Sequence, residues 1–436
     1  MKVKRIVSLV LCLALILSVA LFPSNAAEKS EITTTSSMKS YDLYLEKMMK
    51  TAKIEGVAYV TKDGSVIGQH ASGMQNTQAN KAMSIDALFP IGSVSKQFCA
   101  TAVLLLNEQG KLNLDDTLSM YFPTYEIGKD ITIHELLSMR SGIRDHVNYD
   151  EDYKGFEDPL AQYTLSDKAS YKENQKIITD WLFTQELKFT PNEKFDYSNA
   201  NFLLLSMIVE KVSGEKYSDF VQKNIFDKLS MTNSGFYEDL VSSPSLAENH
   251  LPEGNLPLDA YHKGLSQGAG DIVSNAKDMD KWLTSISKRT LLTDESYDLM
   301  TEDYGENYGY GVMTDKNLGS IYHNGNITTY ETCILTVPEK EINVFVVTSD
   351  VESVYKKNYN MNLFANAIAK KFTGKTVVGD VNEDKDITII DATTIQRHVA
   401  QLTTFTSAQL KAGDANGDGD VTIIDATEIQ RFIAKI

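Results

Sequence analysis

The spacing of apolar and polar positions changes period several times along the chain. Gly56–Gly68 reads as a β-hairpin turning at Asp63-Gly64, and Thr332–Thr348 as a second hairpin turning around Pro338-Glu339-Lys340. Between them apolar residues return at helical spacing. Phe98, Cys99, Ala102, Val103, Leu105 and Leu106 predict a buried helix over Ser95–Asn107, closed by Gly110, and Phe202–Val209 predicts another apolar helix. Near 352–371, Tyr355, Tyr359, Leu363, Phe364 and Ile368, followed by Phe372, predict a last helix packing back on a sheet.

The two ends depart from this pattern. M-K-V-K-R, an apolar run from Ile6 to Phe22, and small residues Ser24 and Ala26 predict a signal peptide over 1–26, with a retained anchor as the alternative. Cys12 sits inside the apolar run, a poor context for lipid attachment. Residues 27–40 are polar and rich in Ser and Thr, and read as a disordered leader. At the other end, G-D-V-N-E-D-K-D-I-T-I-I-D-A-T-T-I-Q-R at 379 returns as G-D-A-N-G-D-G-D-V-T-I-I-D-A-T-E-I-Q-R at 413, an internal repeat offset by 34 residues. The chain thus divides into a large domain over 41–372, a linker over 373–378 and a small module over 379–436.

Composition narrows the partners. With 436 residues and 42% hydrophobic positions the chain is long and apolar enough for one large globular domain plus a small one. A formal charge of −17 repels nucleic acid and anionic membrane surfaces alike. Part of that charge is local: residues 379–436 carry ten acids against five bases. Beyond the signal peptide only Cys99 and Cys333 remain, which excludes a disulfide scaffold. They read as two buried thiols, with a single bridge as the alternative.

The chemistry starts at F-P-I-G-S-V-S-K, residues 89–96, a loop that runs straight into the buried helix. Ser93 and Lys96 are three apart, so at a helix N-terminus their side chains are neighbours. A serine hydroxyl needs a base to take its proton, and a lysine whose pKa is lowered by burial can be that base. Two further segments add groups. P-N-E-K-F-D-Y-S-N at 191–199 offers Tyr197 as a proton relay and Asn199 as a partner for a substrate amide. Y-H-N-G-N at 322–326, read as lying immediately before a strand, offers His323 and Asn324 as a cleft wall, with Gly325 letting substrate approach the backbone.

S-x-x-K, Y-x-N and H-x-G in that order, with L-L-S-M-R-S-G-I at 136–143 and N-Y-G-Y-G-V at 307–312, resemble the class C β-lactamase and DD-peptidase family of serine hydrolases over about 41–350. The resemblance implies an α+β fold: an antiparallel sheet flanked by helices, with a mostly helical insert. It makes Ser93 the acylated nucleophile, Lys96 its proton acceptor, and Tyr197 the group that exchanges a proton with the leaving atom and the deacylating water. Asn199 would touch Lys96 and substrate, and the N–H groups of Ser93 and Asn326 would form the oxyanion hole. The pattern departs from true class C β-lactamases, which usually carry Lys where His323 stands. A histidine only partly charged near neutrality would hold a substrate carboxylate less firmly.

In the terminal repeat, Asp380, Asn382, Asp384, Asp386 and Asp391 occupy positions 1, 3, 5, 7 and 12 of a loop, and Asp414, Asn416, Asp418, Asp420 and Asp425 repeat them. This is EF-hand spacing of hard oxygen ligands for two Ca²⁺ ions, although Lys385 stands where the sharp turn wants glycine and the second loop has Gly419. Asp at the twelfth position, the A-T-x-I-Q-R that follows and the duplication resemble a type I-like dockerin, a small all-α module. Its partner would be a cohesin domain on a scaffolding protein, with Ile389-Ile390 and Ile423-Ile424 contributing to partner choice. The expectation is a secreted, scaffold-attached serine hydrolase acting through an acyl-enzyme on a small amide or ester, a D-alanyl peptide or ester leading. A true β-lactamase and a catalytically silent binding protein are the rivals.

Overall fold

The computed structural model describes residues 41–148, 165, 169–248, 264–350, 361–372 and 378–434, except 383, 385, 386, 417 and 418. The expected signal peptide and leader, most of the linker, Lys385, Asp386 and Asp418 lie outside the described residues. So do Tyr355 and Tyr359.

Six antiparallel strands form the main sheet: β1 (Gly56–Lys62), β2 (Ser65–Ser72), β3 (Met313–Asp315), β4 (Ser320–Ile327), β5 (Tyr330–Val337) and β6 (Ile342–Thr348), in the order β2-β1-β6-β5-β4-β3. Both expected hairpins are present. Asp63 and Gly64 have φ of 50° and 73°, the left-handed pair that a two-residue turn between right-twisted strands requires. The central strands are apolar on both faces because both are covered. Helices α1 (Asp42–Ala52) and α5 (Met361–Phe372) pack Leu45, Met49, Phe364 and Ile368 on Ala58, Val60, Leu335, Val344 and Val346. The opposite face, Val57, Tyr59, Ile334, Phe345 and Val347, closes the larger core with Met279 and Trp282 of α4 (Ala276–Lys288).

That larger core is built round α2 (Ser95–Glu108), which leaves no side exposed over Ser95–Leu104. Phe98 stacks on Trp282 at 4.1 Å between ring centroids, and Trp282 Nε1 donates to Gln97 Oε1 at 2.6 Å. Helix α3 (Asn199–Ser213) packs on α2 and buries Phe202–Leu205, Ile208 and Val209, as the apolar run predicts; it starts three residues earlier than that run. Cys99 and Cys333 are free, buried thiols, one on α2 and one on β5, so the bridge is excluded.

The small module has its own core. Helices α6 (Ile389–Val399), α7 (Ser407–Gly413) and α8 (Ile423–Ala434) enclose Val381, Ile387, Ala392, Ile395, Phe405 and Ile429.

Candidate active site

The site forms where β4 passes the entrance to α2. Ser93 lies in a short 3-10 turn, Gly92–Val94, that feeds directly into α2, so that Ser93 is partly exposed while Lys96, one turn on, is fully buried. The turn and the strand approach too closely for side chains. A Cβ on Gly325 would lie 1.8 Å from Ile91 O, and one on Gly92, whose φ is +52°, 2.8 Å from Asn326 N. These two glycines bring the backbones around Ser93 and Asn326 together. The strand β3 pairs with Ser320, Ile321 and Tyr322 of β4 and ends before His323.

Y-H-N-G-N therefore lies inside a strand, not before one, and the strand decides where its side chains go. His323 is 3% exposed. Its Nδ1 lies 2.5 Å from Asn324 O, which sets Nδ1 as the donor, and Nε2 faces the Tyr308 hydroxyl at 3.4 Å. Burial first, then the charge of Lys96, push the His323 pKa down to about 3. The expected partial charge is absent: this imidazole is neutral throughout the physiological range.

Lys96 Nζ has three oxygen neighbours: Asn199 Oδ1 at 2.7 Å, Ala269 O at 2.8 Å and Ser93 Oγ at 3.0 Å. Burial lowers its pKa to about 7, against smaller opposing contributions from Asp145, Cys99 and Asp271. A neutral amine has two N–H groups and one lone pair. With Asn199 and Ala269 accepting the two hydrogens, the lone pair is left for the Ser93 hydroxyl proton. Tyr197 completes the group: its hydroxyl bonds the Ser93 side chain, burial holds it protonated, and Lys96 Nζ lies 4.9 Å from its ring centroid.

Asp145 was not singled out by the sequence, although it lies two residues beyond L-L-S-M-R-S-G-I, a stretch that was. Its carboxylate accepts from Asn199 Nδ2 at 2.9 Å. An ionised carboxylate only accepts, so it turns the Asn199 amide to present Oδ1 to Lys96. Asp145→Asn should cost about 10–100-fold in kcat/KM by releasing that orientation. Because the Asp145 charge holds the Lys96 pKa up, removing it lowers that pKa further, and the acid limb of the pH profile should move to lower pH. A purely structural Asp145 would lower activity without moving the limb.

In the small module Asp380, Asp391 and Asp425 are buried. Asp391 accepts from the N–H groups of Val381, Asn382 and Thr388, and Asp425 from those of Asn416 and Thr422, which folds each loop back on its twelfth position. Asp384 N and Gly419 N donate to Asp380 and Asp414. These are hard oxygen donors of the kind calcium takes. Without Asp386 and Asp418, the described residues bring no three acidic, His or Cys side chains close enough to hold an ion.

Known proteins resemble both parts. The Beta-lactamase family model matches residues 42–366, and the Dockerin type I domain model matches 378–434. A putative penicillin-binding protein, PbpX, of Bacillus subtilis is 29% identical over 303 residues, 66% of this chain and 71% of that protein. Protein flp of Staphylococcus aureus is 24% identical over 370 residues, 81% of this chain and 71% of that protein. Among solved structures, the octameric penicillin-binding protein homologue from Pyrococcus abyssi superposes with a TM-score of 0.63 at 25% identity, covering 82% of this chain and 80% of that one. A D-amino acid amidase from Ochrobactrum anthropi shares the fold, with a TM-score of 0.61 at 23% identity over 77% of this chain and 98% of that one. The family match spans the whole sheet and every member of the Ser93 cluster, and on it the chain belongs to the beta-lactamase family of serine hydrolases and carries a C-terminal type I dockerin domain.

Proposed function

We propose that this protein is a secreted, scaffold-attached hydrolase that cleaves a small amide or ester, a D-alanyl peptide or ester or a D-amino acid amide, through an acyl-enzyme on Ser93. The observation that carries this reading is the Lys96 amine, with both hydrogens committed elsewhere and Ser93 Oγ at 3.0 Å. Ser93 Oγ attacks the substrate carbonyl carbon as its proton passes to Lys96. The N–H groups of Ser93 and Asn326 hold the resulting oxyanion. Collapse breaks the bond to the leaving amine or alcohol, which takes its proton through Tyr197. Water then repeats the sequence on the acyl-enzyme and frees Ser93. Asn199 positions Lys96, and its second amide hydrogen is the donor it retains for substrate.

The neutral His323 favours substrates without a carboxylate at that end of the cleft. So does the likeness to a D-amino acid amidase, while the penicillin-binding relatives support the D-alanyl alternative. Parallel assays of D-amino acid amides, D-alanyl peptides, short acyl esters and nitrocefin separate these readings. Turnover of nitrocefin alone would replace the proposal with a true β-lactamase. Absence of covalent labelling by a fluorophosphonate or penicillin probe would leave a silent binding protein.

Attachment runs through the dockerin domain, whose proposed partner is a cohesin on a scaffolding protein outside the cell. The apolar run Ile6–Phe22 supports export. Two Ca²⁺ ions are the proposed cofactors, held through Asp380, Asn382, Asp384, Asp386 and Asp391, and through Asp414, Asn416, Asp418, Asp420 and Asp425. Gly419 adopts a φ of +95°, which the sharp turn needs and which Lys385 would take only with strain. Calorimetric titration of the chelator-stripped full chain should therefore saturate near two ions. Asp414→Ala with Asp418→Ala should lose more affinity than Asp380→Ala with Asp384→Ala. No heat of binding would remove calcium from the account.

A further inference from the structure

Helix α1 belongs by chain position to the hydrolase domain, yet it serves two cores. Leu45 and Met49 point into the covered face of the sheet. Leu43, two residues from Leu45 and so on the opposite side of the helix, lies in the dockerin cluster with Val381, Ile387, Ile395, Phe405 and Ile429, and is 2% exposed. Lys47 follows Leu43 by four residues and shares its face. Its Nζ is buried without a hydrogen-bond partner among the described residues. Burial lowers its pKa, while Glu428, Asp425 and Asp414, on and beside the second loop, pull it upward. Tyr41 packs on Phe372 at 4.0 Å between ring centroids, at the point where the hydrolase domain ends, and feels the charge of Asp380 in the first loop.

We propose that α1 is a docking seat for the chain's own dockerin domain: the Leu43–Lys47 face holds the module in cis, so the catalytic cleft and the scaffold-binding surface keep one relative orientation. Three observations support this. Leu43 completes a core that is otherwise made by the module alone. The buried Lys47 Nζ stands within the field of Glu428, Asp425 and Asp414 of the module. And residues 373–378 span at most about 20 Å, which keeps the module at an effective concentration of order millimolar beside α1. The scaffold-binding surface is left free. Ile389, Ile390, Ile423 and Ile424 remain 52–57% exposed. This last point rests on the cohesin reading; the docking itself does not.

Small-angle scattering and hydrogen–deuterium exchange on the full chain with calcium test the proposal without any substrate or cohesin. Wild type should scatter as one compact particle. Leu43→Ser should broaden its distance distribution and raise exchange about tenfold or more in residues 41–44 and 405–429. Lys47→Glu, which places a like charge opposite Asp414, Asp425 and Glu428, should act in the same direction and guards against a folding failure of Leu43→Ser. In both variants kcat/KM should stay within about twofold, because neither residue lies near Ser93. Unchanged scattering and exchange in Lys47→Glu and in a folded Leu43→Ser would overturn the seat. Equal loosening of the β1–β6 sheet would show instead that α1 is only a part of the hydrolase core.

Discussion

Ser93→Ala is expected to reduce hydrolysis by roughly 10⁵–10⁶-fold and to abolish covalent labelling by fluorophosphonate or penicillin probes. The size follows from the arrangement. Lys96 Nζ lies 3.0 Å from Ser93 Oγ, and Ser93 is partly open to the cleft while its base is wholly buried. The residual rate would be whatever the Ser93 and Asn326 N–H groups lend to attack by water. Since α2 remains packed through Phe98, Cys99 and Val103, the thermal transition should be unchanged. Intact mass spectrometry after probe treatment is the direct check: a labelled Ser93→Ala protein would mean that the nucleophile lies elsewhere.

Lys96→Ala should cost roughly 10²–10⁴-fold, the usual worth of a general base. In wild type the neutral amine is the active form. With the pKa lowered to about 7 by burial, kcat/KM should fall about tenfold per pH unit below that value and level off above it. The sign distinguishes this base from an ordinary lysine, whose amine would be almost wholly protonated at pH 7. Lys96→Arg should not restore activity, because a guanidinium stays charged and has no lone pair to offer. A flat profile between pH 5 and 8, or an active Lys96→Arg, would assign the proton to another acceptor. Protonating a fully buried lysine also costs stability. The folded-state pKa lies below the unfolded one, so this contribution is complete above the ordinary lysine value and is lost as pH falls towards about 7.

Local patterns carried a large part of this outcome. Strand-like runs flanking the turn residues Asp63-Gly64 and Pro338-Glu339-Lys340 placed two hairpins, and the i, i+3 spacing of Ser93 and Lys96 paired nucleophile and amine on one turn. Both are properties of neighbours in the chain, and backbone geometry alone relates them. The repeat at 379 and 413 is legible for a similar reason: ligand positions within a twelve-residue loop are set by the loop itself. Tyr197, Asn199 and His323 were found by the order of motifs, not by any local rule.

Other features depend on contacts between distant segments. Ala269 O takes one hydrogen of Lys96 as a backbone carbonyl, and a carbonyl carries no residue-type signal. Asp145 acts through the Asn199 amide, 54 positions away, and its role appears only when the two are brought together. His323 has a sequence that reads as a titrating wall of the cleft, but its charge is a matter of solvent access, and enclosure beside Lys96 removes it. Leu43 has the spacing of an ordinary amphipathic helix. Which core it enters was decided by the module folding back onto α1, because hydrophobic burial is non-directional and a leucine accepts whichever apolar surface reaches it.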